Sequence, residues 1–144
     1  MNSNSAKPYC LSPVEIEAKL KAAGVQPTLQ RIALCRFVLC EGDHPTAEEV
    51  HQWAEKNLSK ISLATVYNTL NTLVDAKILR PFRLSHSDKI IYDVNTHDHH
   101  HFLDESTGKL FDIEQEDFKY QLKIPKKFKV TGFEVVFKGS IARK

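Results

Sequence analysis

The sequence predicts an α+β protein, with an N-terminal winged-helix DNA-binding domain over residues 1–94 and a small C-terminal α/β dimerisation domain over residues 95–144. Three observations predict it. Capped, apolar-periodic segments fill the first half. Two β-prone runs around a turn follow the last of them. The remaining stretch alternates short strand patterns around a histidine cluster.

The helices announce themselves by their caps. In "SPVEIEAKLKAAG" Ser12 is the N-cap, Pro13 takes the first helical position and Glu15 completes a capping box, while Gly24 stops the helix. Val14, Ile16 and Leu20 supply its apolar surface. "TLQRIALCRFVLCEG" is capped by Thr28 and spaces Leu29, Ile32, Ala33 and Phe37 helically. "TAEEVHQWAEKN" carries a second capping box, Thr46 with Glu49, and turns Val50, Trp53 and Ala54 inward. "SLATVYNTLNTLVDAK" starts at Ser62 and repeats Leu63, Val66, Leu70, Leu73 and Val74. Helices in this order, the last two closely joined, suit a helix-turn-helix. The runs Ile78–Leu84 and Lys89–Val94 flank the turn Ser85–Asp88 and add a hairpin, which makes the helix-turn-helix winged.

In that architecture the helix from Ser62 enters the major groove of double-stranded DNA. Its polar face offers Ser62, Thr65, Tyr67, Asn68 and Thr69, and Arg31, Lys60, Arg80 and Arg83 are candidates for phosphates. Charge alone does not announce such a partner. The net charge is +2, with 11 basic against 10 acidic residues up to position 96 and 9 against 8 beyond it.

In the second half "HHFL" and "KLFDI" read as strands and "EQEDFKYQLK" as a helix. "FKVTGFEVVFKG" reads as a strand with Phe133, Val135 and Phe137 on one face. About fifty residues bury little core alone, so this half is expected to pair with a second copy as a homodimer. Truncation before Phe133 is expected to leave a monomer.

No apolar run approaches the ~20 residues of a membrane helix, and "MNSNSAKPYC" lacks an apolar signal core. Cys10, Cys35 and Cys40 form no CxxC spacing, which suits a reducing cytoplasm, with Cys35 and Cys40 as small buried thiols and Cys10 exposed.

Four of the seven histidines crowd into "HDHHH", residues 97–101. On a strand His99 and His101 share a face, while Asp98 and His100 take the other. Asp93, Asp112 and, from the loop before a helix, His44 can add further donors. Imidazoles and carboxylates without thiolate suit Fe²⁺, Mn²⁺ or Zn²⁺, whereas structural zinc more often recruits cysteine. His97 and His100 extend the cluster towards a secondary site or solvent, and His51 and His86 are expected in solvent.

The strings "PTLQR", "HPTAEEVHQWAEK", "ISLATVYNTLNTLVDAKIL", "YDVNTHDHHH" and "GKLFDI" together resemble the ferric uptake regulator family of metal-dependent repressors, and within it the peroxide-responsive, PerR-like branch. The resemblance runs from about Val25 to Asp112 in order and spacing. It implies a regulatory Fe²⁺ or Mn²⁺, with Zn²⁺ possible at the same site, held at the hinge by His44, Asp93, His99, His101 and Asp112. It implies repression of peroxide-defence genes, relieved when peroxide at bound Fe²⁺ oxidises His44 or His99. Asp at position 112 is associated with peroxide-sensitive members and Glu with iron sensors.

One departure stands out. The first cysteine pair of the family's structural zinc site falls on Asp104 and Thr107, and no second pair follows, so no cysteine-bound structural zinc is expected. The alternative within the family is an iron- or zinc-responsive repressor of metal-uptake genes. An enzyme with two histidines and a carboxylate on iron is disfavoured, because no general base and no HExxH helix stand out. A plain histidine-rich metal buffer would leave the winged helix without a purpose.

Overall fold

The computed structural model describes residues 10–84 and 87–142. They divide into two compact units, one ending at Thr96 and the other beginning at His97.

The first unit opens with α1 (Pro13–Ala22), whose capping box closes as expected: Ser12 Oγ accepts from Glu15 N, and Glu15 accepts from Ser12 N. Next come α2 (Leu29–Arg36), a π-helical turn (Phe37–Glu41), α3 (Ala47–Asn57) and α4 (Leu63–Asp75). Thr28, Thr46 and Ser62 each cap their helix through a side-chain oxygen. Strands β1 (Arg80–Arg83) and β2 (Ile90–Asp93) pair antiparallel, Arg80 opposite Asp93, and form the wing. The expected turn residues Ser85 and His86 lie outside the described residues.

The core sits among these helices. Ile16, Leu20, Leu34, Val38, Val50, Val66, Leu70 and Leu73 are sealed from solvent. The inward face of α2 differs from the sequence reading. Leu29 is 86% exposed, and Leu34, Cys35 and Val38 are buried instead. Val14 likewise faces outward. The apolar spacing fits either face, and packing against α1 and α4 selects the one that the π-turn continues.

The second unit is a three-stranded sheet, order β4-β3-β5, built from β3 (His99–Asp104), β4 (Leu110–Glu114) and β5 (Val136–Gly139). Strands β3 and β4 form an antiparallel hairpin, and β5 runs parallel to β3. The connection to β5 is not the expected helix. A single 3₁₀ turn (Gln115–Asp117) gives way to irregular chain. Phe118, Tyr120, Leu122 and Ile124 alternate with polar residues at a period of two, so no apolar helical face exists, and Pro125 ends the run. The strand expected along "FKVTGFEVVFKG" is correspondingly shortened to Val136–Gly139. No helix among the described residues is long and apolar enough to cross a membrane.

Candidate metal centre

Each unit assembles its own set of donor atoms. In the first, the π-turn releases the chain at Gly42, and His44 follows with φ at +49°, a left-handed conformation that His tolerates better than most residues. Pro45 and Thr46 then lie against the wing: Tyr92 N donates to Pro45 O at 2.9 Å, and Thr46 bridges to Ile91. This docking sets His44 beside Asp93, the last residue of β2. His44 Nε2 lies 3.4 Å from Asp93 Oδ2, and His44 Nδ1 lies 2.8 Å from Asp43 Oδ1. Asp93 is buried, and its Oδ1 accepts from Asn95 N at 2.9 Å.

In the second unit strand alternation does the work. His99 and His101 project from one face of β3, and Asp112 stands opposite His101 on β4. The two Nε2 atoms are 3.2 Å apart, and each lies 3.5 Å from Asp112 Oδ1. His99 Nδ1 meets the carbonyl of His97 at 2.6 Å. A carbonyl can only accept, so Nδ1 carries the proton and the Nε2 lone pair faces the cluster.

These spacings suit one cation. Ligand atoms about 2.1 Å from an ion, at octahedral to tetrahedral angles, sit roughly 3.0–3.4 Å from one another. The nitrogens at 3.2 Å fall inside that range, and the carboxylate oxygen lies just beyond it. Without a cation or a shared proton, three converging lone pairs would repel.

His100 does something else. It points to the opposite face of β3, is buried, and its ring packs 4.8 Å from Phe118 and 5.4 Å from Phe133. Its Nδ1 accepts from Val135 N at 3.0 Å, and its Nε2 has no hydrogen-bond partner among the described residues. Burial, then the adjacent His99, holds its imidazole below the usual range. His100 is therefore a core histidine, and the expectation of a secondary metal site or solvent is corrected. His51 is also engaged: its Nε2 lies 3.0 Å from the carbonyl of Ile61.

The positions where the resemblance places a cysteine pair hold Asp104 and Thr107, which bond each other. Asp104 accepts from Ser106 N and Oγ at 3.0 and 2.7 Å and from Thr107 Oγ1 at 2.9 Å, closing the β3–β4 turn through side chains. These donors hold its carboxyl below the ordinary carboxylate range. Gly108, at φ +78°, supplies the left-handed residue that the turn requires.

The cysteines themselves correct the sequence reading. Cys10 and Cys40 are joined in a disulfide, and Cys35 alone is a buried free thiol. The pairing joins residues thirty apart, and no local spacing signals it.

Among the DNA-facing candidates, Ser62 Oγ bonds Thr65 Oγ1 at 2.9 Å at the start of α4. Asn68 is exposed on the same helix. The Tyr67 hydroxyl donates to Glu48 at 2.8 Å, tying α4 to α3, and Arg31 Nη1 donates to Gln26 O. Thr69 is removed from the exposed face, since it is buried and its hydroxyl bonds back to Thr65 O.

Comparison with known proteins places these features in a family. The sequence profile of the ferric uptake regulator family matches residues 22–138. A peroxide-responsive repressor, PerR, of Staphylococcus aureus is 37% identical over 97 residues, which span 67% of this chain and 65% of that protein. The ferric uptake regulator of Pseudomonas aeruginosa, solved with manganese, superposes with a TM-score of 0.63 at 19% identity, covering 89% of this chain and 98% of its own. The peroxide stress regulator of Campylobacter jejuni gives 0.59 at 24% identity, covering 93% and 99%. At these identities the structures establish a shared fold.

Proposed function

We propose that this chain, which belongs to the ferric uptake regulator family, is a metal-dependent DNA-binding repressor released from its operator by hydrogen peroxide. The observation that carries the proposal is the convergence of His99 Nε2, His101 Nε2 and Asp112 Oδ1, with the His99 tautomer set by a backbone carbonyl. The second donor pair, His44 with Asp93, has matching chemistry. In this reading both sets serve one regulatory ion, Fe²⁺ or Mn²⁺, at the junction of a DNA-binding domain (1–94) and a dimerisation domain (95–144). Zn²⁺ can occupy the same donors, and availability decides among the three.

Holding that ion fixes the first unit in a DNA-competent posture. Ser62, Thr65, Tyr67 and Asn68 of α4, with Arg31, then meet base edges and phosphates. A two-fold operator matches the homodimer. The work is done on double-stranded DNA in the cytoplasm.

Fe²⁺ held by these donors would supply one-electron redox chemistry towards peroxide. The protein would contribute the target: an imidazole carbon of His44 or His99 would gain a C–O bond and lose its hydrogen, the ring giving up two electrons to peroxide as the other oxygen leaves as water. The modified ring would be a poorer donor. Donor loss frees the His44 loop, and the repressor leaves DNA. Each event consumes a side chain instead of turning over, so the chain is a sensor and not an enzyme. Asp112, with the 37% identity to a peroxide-responsive repressor, favours this reading over an iron- or zinc-responsive repressor of uptake genes.

The test loads the protein with Fe²⁺ or Mn²⁺ without air and lets it select a duplex from a random pool. Peroxide is then added, and DNA binding and peptide masses are read together. The iron form should gain one oxygen atom on the His44 or His99 peptide and release the duplex, while the manganese form stays bound. If both forms remain bound and unmodified, the peroxide reading fails and the uptake-repressor reading takes its place.

A further inference from the structure

The Cys10–Cys40 disulfide lies on the path to His44. Cys40 belongs to the π-turn Phe37–Glu41, which Gly42 N closes by donating to Phe37 O at 2.7 Å, and His44 follows two residues later. At the other end, Cys10 precedes Leu11 and Ser12, the N-cap of α1. Leu11 O lies 3.8 Å from Cys40 Sγ. The bridge thus fastens the start of α1 to the turn that launches the His44 loop. π-helical turns are rare, and they are frequently found at functional sites.

Access separates the three cysteines. Cys10 is exposed and Cys40 half-buried, so small oxidants and reductants reach the pair. Cys35 is sealed in the core, and burial pushes its thiol up to about 12, which makes it inert.

We propose that Cys10 and Cys40 form a second peroxide-reactive site, a reversible dithiol–disulfide pair that needs no metal and steadies the His44 loop when bridged. In the reduced form, the exposed Cys10 thiolate attacks one oxygen of hydrogen peroxide. The O–O bond breaks, Cys10 becomes a sulfenic acid, and the departing hydroxide takes up a proton to leave as water. The Cys40 thiol then attacks the sulfenic sulfur. The S–S bond forms, the S–O bond breaks, and a second water leaves. The two sulfurs have lost two electrons and the two peroxide oxygens have gained them. A small dithiol restores both thiols by exchange. The coupling to His44 rests on the metal reading above; the thiol chemistry does not.

The experiment uses the full chain, reduced and loaded with Mn²⁺, titrated with hydrogen peroxide and then alkylated and mapped by mass spectrometry. Cys10 and Cys40 should lose alkylation together and appear as one linked peptide pair that dithiothreitol separates. Cys35 should alkylate only after unfolding, before and after peroxide alike. Persistent alkylation of Cys10 and Cys40, or their conversion to two separate sulfinic acids, would overturn the site. A second arm compares Mn²⁺ affinity of the bridged chain, the reduced chain, Cys10→Ser and Cys40→Ser. The unbridged forms should bind Mn²⁺ several-fold more weakly, and equal affinity in all four would overturn the coupling. Histidine masses from the parallel iron-loaded sample are independent of both arms, so failure of this pair and failure of the histidine reading are told apart.

Discussion

The two units of this chain are held together by opposite means. The first buries a contiguous set of aliphatic side chains from four helices, with Val38, Val50 and Val66 wholly sealed. The second buries His99, His100, His101 and Asp104, and Leu110 is its one buried aliphatic side chain among the described residues. Meanwhile Tyr120, Leu122, Ile124, Phe128, Val130, Phe133 and Phe137 stand exposed on that unit. Apolar burial is the main driving force of folding, and the first unit carries most of it. The second buries polar side chains that carry donor atoms and leaves an apolar surface exposed, which the proposed homodimer would cover.

Substitutions can break this contrast, and the largest effect is expected in the first unit. Leu70→Ala removes a sealed side chain from α4 and should cost about 2–5 kcal/mol, read from the shift in denaturant midpoint. A cost near zero would mean that the helical core is not what holds this half.

Next comes the apolar surface of the second unit. Phe133→Asp with Phe137→Asp should turn a dimer into a monomer in sedimentation, with the helical signal of the first unit retained. A dimer that survives both charges would place the interface elsewhere.

The smallest effect concerns the turn at Asp104. Its carboxyl sits below its unfolded value, so its contribution is present above about pH 3.9 and is lost as pH falls through the lower folded value. Asp104→Asn keeps the shape and removes the charge. The variant's acid-unfolding curve should therefore be shallower than the parent's below about pH 4. Identical curves would deny the carboxylate a role in holding the β3–β4 turn.

What was legible in the sequence follows the same division. Capping boxes at Ser12 with Glu15 and Thr46 with Glu49 are local, and both form as read. The shared face of His99 and His101 needs nothing beyond strand alternation, and the β3–β4 register brings Asp112 to it. What was hidden depends on distant partners. The buried face of α2 is chosen by α1 and α4, and Leu29 shows that spacing alone cannot choose it. The Cys10–Cys40 bridge has no local signal. The helix expected over Glu114–Lys123 does not form, because Phe118, Tyr120, Leu122 and Ile124 alternate at a period of two and supply no apolar helical face. The core position of His100, where a secondary site or solvent was expected, is hidden because its aromatic neighbours come from residues well beyond it in the chain.

The measurement that bears most directly on the account is DNA affinity as a function of Mn²⁺, followed by fluorescence anisotropy on a duplex that the manganese-loaded protein selects. The parent chain should bind only as Mn²⁺ is added and release on chelation. His101→Ala and Asp112→Ala should stay unbound at Mn²⁺ levels that saturate the parent, a loss of more than ~100-fold, beyond what outer hydrogen-bond partners of a metal contribute. Tight binding by the chelated parent, or by either variant at parental Mn²⁺ levels, would contradict the account.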